Sequence, residues 1–181
     1  MPPRLKTRLD YDDLVHAPDD GKQYEILDGD LFVTPAPSPF HQRVSKRLQR
    51  QMEQYFEERR LGEVFDAPID VILATHDVVE PDLVVVADSR QISRRGIEGP
   101  PAIVVEILSP STSDRDRGLK AKRYEATRVP HYWIVDIDAQ RIDCYHLLVD
   151  QYALATSATG NQQLQHPDWP DLRIDLAALW S

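Results

Sequence analysis

Two apolar runs constrain this chain more than any other feature: LVVVAD at 83–88 and AIVVEIL at 102–108. Both are short, unbroken and rich in valine and isoleucine, the pattern of central strands covered on both faces. The second run carries a carboxylate, Glu106, in its middle. A lone charge there costs on the order of several kcal/mol unless a cation or hydrogen-bond donors compensate it. The fold must therefore cover both faces of a sheet and bring a partner to Glu106.

The flanking sequence indicates how the covering is built. YEILDGDLFV (24–33) reads as two short strands joined by Asp28-Gly29, a hairpin turn signal. PAPSP (35–39) is a stiff, extended connector. From Phe40 to Arg60 the period becomes helical, with Val44, Leu48, Met52 and Tyr55 on one stripe and Arg43, Arg47 and Arg50 on another. EVFDAPIDVIL (63–73) reads as a further strand, and SRRGIEGPP as a loop. A helix is expected from about Asp114 to Thr127, opened by a Ser113-to-Asp116 capping box and ended by Pro130. HYWIVDI (131–137) and RIDCYHLLV (141–149) read as strands, YALATS as a weaker one, and LAALW as a closing helical turn. Helix-then-strand after Leu108 implies a crossover. The predicted class is α/β (α+β): a mixed β-sheet flanked by α-helices, formed by residues 1–181 as one domain.

Composition narrows the function. With 41% apolar residues the 181-residue chain can bury a core. Its net charge of −9 argues against a surface made for non-specific phosphate binding. Cys144 has no partner cysteine, which fits a reducing compartment. MPPRLKTRLDYDDLV holds no apolar stretch for a signal or anchor, and no run reaches the ~18 apolar residues of a membrane helix. A cytoplasmic protein with no membrane partner is the expectation.

Three side chains form the candidate constellation. Asp82 stands at the mouth of LVVVAD after Glu80-Pro81, Glu106 lies in the neighbouring strand, and Lys120 follows on the next helix. Asp116, Lys120 and Tyr124 are spaced by four and share one helix face. Two carboxylates from adjacent strands can hold a hard cation such as Mg²⁺ or Mn²⁺, which would neutralise Asp82 and Glu106 together. An adjacent ammonium could orient water or stabilise charge on a phosphate. The alternatives are structural: Asp82 as a turn residue, and Lys120 as a solvated helix residue whose loss costs within about 0.5 kcal/mol.

YEILDGDLFVTPAPSPFHQRVSKRL, APIDVIL, EPDLVVVAD, VVEILSPSTSDRDRGLKAKRY and VPHYWIVD together resemble the Uma family of restriction endonucleases, within the PD-(D/E)XK nuclease superfamily, from about residue 10 to the chain end. The resemblance implies a restriction-endonuclease-like fold and a metal-dependent nuclease acting on nucleic acid, foremost DNA. It matches Pro81-Asp82 to the "PD" and Glu106 to the "(D/E)". Leu108 stands where the superfamily has lysine, and Lys120 matches the lysine supplied from the following helix. Glu25 and His41 also match family positions. Glu25 is implied as a further carboxylate near the metal, His41 as a phosphate contact; their structural alternatives are backbone-amide binding and helix capping.

His131 departs from the family, which often has Glu before Tyr-Trp, and the sequence offers no physical account of the change. Tyr132 and Trp133 read as core or interface residues. Arg115, Arg117, Lys120, Lys122 and Arg123, with Arg43, Arg47 and Arg50, are the candidate phosphate contacts. Three tryptophans and the demands of duplex cleavage make a homodimer an expectation. The competing function is a non-catalytic member of the same fold that binds nucleic acid or protein.

Overall fold

The computed structural model describes residues 8–181. The first seven residues of the N-terminal stretch, read above as lacking an anchor, lie outside these. Among the described residues, no helix is long and apolar enough to cross a membrane.

The central layer is a six-stranded sheet with the order β11-β10-β9-β8-β6-β3. Its strands are β3 (Glu63–Asp66), β6 (Leu83–Val86), β8 (Ile103–Ile107), β9 (His131–Asp136), β10 (Arg141–Leu148) and β11 (Gln151–Thr159). It is mixed: β8 and β9 run parallel, while β6 and β8 run antiparallel. The two apolar runs lie at its centre, as their composition requires, and every residue of both strands is buried. Alternation divides their side chains between two cores. Leu83, Val85, Ile103, Val105 and Ile107 face one core. Val84, Val86, Val104 and Leu108 face the other.

The first core is covered by α2 (Pro39–Phe56), the ribbon of β12 (Gln163–His166) and β13 (Trp169–Asp175), and α5 (Ala177–Trp180). Helix α2 opens at Ser38, whose Oγ accepts the His41 amide at 3.2 Å, with Pro39 at the first helical position. The predicted stripe of Val44, Leu48, Met52 and Tyr55 is buried, and Arg43 and Arg50 stay exposed. Each fully buried side chain of that stripe contributes roughly 1.5–3 kcal/mol.

The second core lies under a five-stranded sheet, order β2-β1-β5-β4-β7. It comprises β1 (Gln23–Leu27), β2 (Asp30–Thr34), β4 (Val71–Ala74), β5 (Asp77–Val79) and β7 (Ile97–Glu98). The β1–β2 hairpin turns at Asp28 and Gly29, where φ is 52° and 87°. Two successive positive φ values match the twist of a two-residue hairpin, and glycine adopts one without strain. The same core receives Tyr124 and Val129 from the crossover between β8 and β9.

Several elements differ from the sequence reading. Residues 63–73 form two strands in different sheets, because Pro68 cannot donate a ladder hydrogen bond. The loop SRRGIEGPP contains β7, and YALATS belongs to the nine-residue β11. The crossover is α3 (Ser113–Arg115), a π-helical turn at Asp116–Lys120, and α4 (Ala121–Ala126). Its N-cap is Thr112 with no side-chain capping bond, so the expected Ser113 capping box does not form.

Candidate active site

The register of β6 and β8 sets the site. Leu83 pairs with Val105, so Asp82, just before β6, stands across from Glu106. Glu106 lies on the same side of β8 as Val104 and Leu108, the side that the crossover covers. Leu108 packs into that core, leaving the strand no polar partner for Glu106.

The partners come from the crossover. Lys120 Nζ lies 2.6 Å from Glu106 Oε1, and the Tyr124 hydroxyl donates to the same oxygen at 2.5 Å. Both contacts go to Oε1, leaving Oε2 free of them. Lys120 also donates to Glu25 Oε1 at 2.8 Å, a contact between residues 95 apart in the chain. Lys120 is only 2% exposed. The sequence reading of a solvated lysine is therefore overturned: four-residue spacing carried through the π-turn aims it inward, where two carboxylates receive it. Lys120 thus compensates Glu106 from within the chain, through Oε1.

Asp82 is held differently. Its Oδ2 accepts the Ile107 amide at 2.7 Å, and His41 Nε2 lies 3.2 Å from its Oδ1. The same His41 nitrogen lies 3.1 Å from the Ile107 carbonyl. Asp82 is thus more than a turn residue, and His41 does more than open its helix. Glu25 binds the backbone amide of Glu80 at 2.9 Å, the structural alternative, but also holds Lys120 and faces Arg115 at 3.4 Å. The structure brings together all five sequence candidates: Glu25, His41, Asp82, Glu106 and Lys120.

Three further side chains adjoin these five: Arg115, one of the candidate phosphate contacts, and Asp116 and Tyr124, which share the helix face of Lys120. Arg115 bonds Thr34 Oγ1 at 2.8 Å across the pocket. Asp116 is buried, and its Oδ1 has no hydrogen-bond partner. Tyr124 lies in the second core and holds Glu106 from that side. Asp116 and Tyr124 were visible in the spacing by four; Arg115 carried no signal beyond its charge.

Electrostatics follow from burial. Burial pushes the Glu106 carboxyl well above the usual range, opposed by Lys120 and reinforced by Asp116, Asp82 and Glu25. Burial disfavours the Lys120 charge, yet Glu106, Glu25 and Asp116 outweigh it and raise its pKa. Burial likewise opposes the His41 charge, and Asp82 and the Ile107 carbonyl prevail to raise it. Asp116 is raised by burial. Glu80 is pushed up to about 7, first by burial and then by Asp70 and Glu25.

His41, Asp82, Glu106, Arg115, Asp116 and Lys120 border a cavity of about 220 Å³. Asp82, Glu106 and Asp116 supply three carboxylates to its wall against the two cations Arg115 and Lys120, and Glu25 adds a fourth from behind those cations. The excess is acidic, the converging atoms are oxygens, and one buried carboxylate oxygen is unsatisfied. That donor set fits a hard divalent cation.

The basic cluster is mostly engaged within the protein. Arg123 pairs with Asp77 at 2.5 Å, Arg117 with Asp136 at 3.1 Å, and Arg47 with the Leu179 carbonyl at 3.1 Å. Lys122, Arg43 and Arg50 remain exposed.

The structure superposes with a TM-score of 0.75 on a crystal structure described as "a putative nuclease belonging to DUF820" from Anabaena variabilis ATCC 29413, at 17% identity, covering 95% of this chain and 97% of that one. Fold and pocket define the class, a restriction-endonuclease-like α+β protein. The chain belongs to the Uma2 family, described as "Putative restriction endonuclease", whose pattern matches residues 10–177. It is also 28% identical over 127 residues to "Uncharacterized protein slr1290" of Synechocystis sp. (strain ATCC 27184 / PCC 6803 / Kazusa). That match covers 69% of this chain and 66% of the relative, so the chain spans just under two thirds of that protein's length.

Proposed function

We propose that the protein is a divalent-metal-dependent endonuclease that hydrolyses phosphodiester bonds in DNA. The observation that carries this reading is the convergence of Asp82, Glu106 and the Ile107 carbonyl on one small acidic cavity with a buried ammonium beside it. Asp82 and Glu106, with the Ile107 carbonyl, would hold Mg²⁺ or Mn²⁺. Bound there, the ion would supply Lewis acidity toward a phosphate oxygen and lower the pKa of a water.

The chain's own residues have separable tasks. Lys120 stays an ammonium because its pKa is raised, so it acts as a donor to developing negative charge and not as a general base. Glu25 anchors that ammonium, and Tyr124 fixes the Glu106 carboxylate through Oε1. His41 Nε2 stays within reach of Asp82 Oδ1 and the Ile107 carbonyl, and so orients the two groups that would face the ion. Buried side chains held by several partners provide the preorganisation such charge stabilisation requires.

The test is cleavage of supercoiled plasmid, linear duplex and single-stranded DNA with Mg²⁺ or Mn²⁺. Wild type should cut, and Asp82→Asn and Glu106→Gln should lose about 100-fold or more, the scale of removing preorganised charge stabilisation. Either metal should also raise the Tm of wild type more than that of Glu106→Gln. A folded, metal-binding wild type that cuts no nucleic acid would leave a non-catalytic binding member as the better reading. The engagement of Arg47, Arg117 and Arg123 in internal contacts, which leaves few cations for phosphates, is the observation favouring that second reading.

A further inference from the structure

His131 lies on the other face of the central sheet from Glu106. Along β9, Tyr132 and Ile134 enter the core on the Glu106 side, whereas Trp133 and Val135 enter the opposite one. His131 shares the Trp133 side and packs at 4.6 Å on Trp169, at the start of β13. Its register partner on β10 is another histidine, His146. A third, His166, ends β12, and Asp168 follows in the turn.

The three histidines converge on one atom of Asp168. His131 Nε2, His146 Nδ1 and His166 Nδ1 lie 3.7, 3.9 and 3.9 Å from Asp168 Oδ2. All three separations exceed a hydrogen bond and approach the edge of a tetrahedron of ligands about 2.0–2.2 Å from a zinc ion, roughly 3.4 Å. The donor atoms of His131, His166 and Asp168 all lie within 4.8 Å of one another. Asp168 is half-exposed, so its carboxylate can rotate inward and an ion can enter beside it.

The histidines are poorly satisfied as they stand. His131 Nδ1 and His166 Nε2 are buried with no hydrogen-bond partner. His166 Nδ1 accepts the Asp168 amide at 3.1 Å, which makes it the unprotonated nitrogen; an ion would displace that amide.

We propose that His131, His166 and Asp168 bind a first-row transition-metal ion, zinc by donor type and shape, with the fourth position filled by water or by rotation of the neighbouring His146, and thereby fasten the β12–β13 ribbon to β9 and β10. Mixed imidazole and carboxylate donors suit zinc, in contrast to the nearly all-oxygen acidic cavity. The site is independent of the nuclease reading and accounts for the histidine at position 131.

Full-length protein stripped with a chelator tests it, with Zn²⁺ followed by calorimetry and Tm, and Co²⁺ by its visible absorption. Wild type and Asp82→Asn should each bind zinc at this site, gain Tm, and give the intense spectrum of four-coordinate cobalt. Asp168→Asn, at an exposed position, and His131→Gln should weaken zinc binding by more than the about 10–100-fold that losing even an outer-shell partner costs. Both should lose the cobalt spectrum. The proposal is overturned if wild type binds no zinc, or if binding survives His131→Gln and Asp168→Asn.

Discussion

Lys120 is where the proposed catalysis and the stability of the fold meet in a single residue. A buried ammonium 2.6 Å from Glu106 and 2.8 Å from Glu25 offsets two carboxylates that have no water to turn to. Removing it leaves them uncompensated, so Lys120→Met should cost about 3–5 kcal/mol in urea unfolding, far above the cost of an exposed lysine. The exposed Lys122→Ala should stay within about 0.5 kcal/mol. An unchanged urea midpoint for Lys120→Met would mean that the ion pair does not form. Asp70 illustrates the opposite sign. Burial raises its pKa, and its charge helps push Glu80 to about 7. For carboxyls whose folded pKa exceeds the unfolded value, the folded state holds the extra protons, so stability falls as pH rises through that window. In chelator, the stability of Asp70→Asn relative to wild type should therefore increase between roughly pH 4 and 7. A difference between the two that does not widen with pH would remove the argument.

At the scale of elements, the crossover decides what reaches the pocket. Its π-turn at Asp116–Lys120 widens one turn of an otherwise α-helical segment, a feature common at functional sites. Asp116, Lys120 and Tyr124 all end buried. Gly118, in the middle of the turn, has no atom within 4 Å of where a Cβ would stand and no positive φ. The π-turn therefore does not depend on glycine's conformational freedom. Gly118→Ala should stabilise the protein by about 0.4–1 kcal/mol, by restricting the unfolded chain, and leave the Mg²⁺-induced Tm gain intact. A loss of that gain would show that the glycine permits a movement the site requires.

For the whole molecule, charge is the governing quantity. A net −9 repels a polyanion, and ion pairs within the fold take up much of the local basic character. Helix α2 carries exposed cations: Lys46 borders a depression shared with His41 and Asp82, and Arg43 and Arg50 are solvent-facing. DNA binding should therefore be weak and carried by few phosphates. Lys46→Glu with Arg50→Glu should weaken it and reduce the salt slope by about 0.9 for each phosphate no longer neutralised, without altering the Mg²⁺-induced Tm gain. An unchanged slope would place the nucleic acid elsewhere.

The sequence by itself determined the elements whose pattern is local. Valine-rich runs became buried central strands, the period of Val44, Leu48 and Met52 became a helix, and Asp28-Gly29 became a hairpin turn. It also marked Asp82, Glu106 and Lys120, because a charge inside an apolar strand demands a partner. It did not show the division of 63–73 by Pro68 between two sheets, or β12 and β13, whose mixed polarity gives a weak period. Only tertiary structure could pair Glu25 with Lys120, residues 95 apart, or gather His131, His146 and His166 around Asp168. Local propensity is set by neighbours along the chain. The partner of a buried charge is set by which strands the sheet places side by side, and that depends on packing of the whole core.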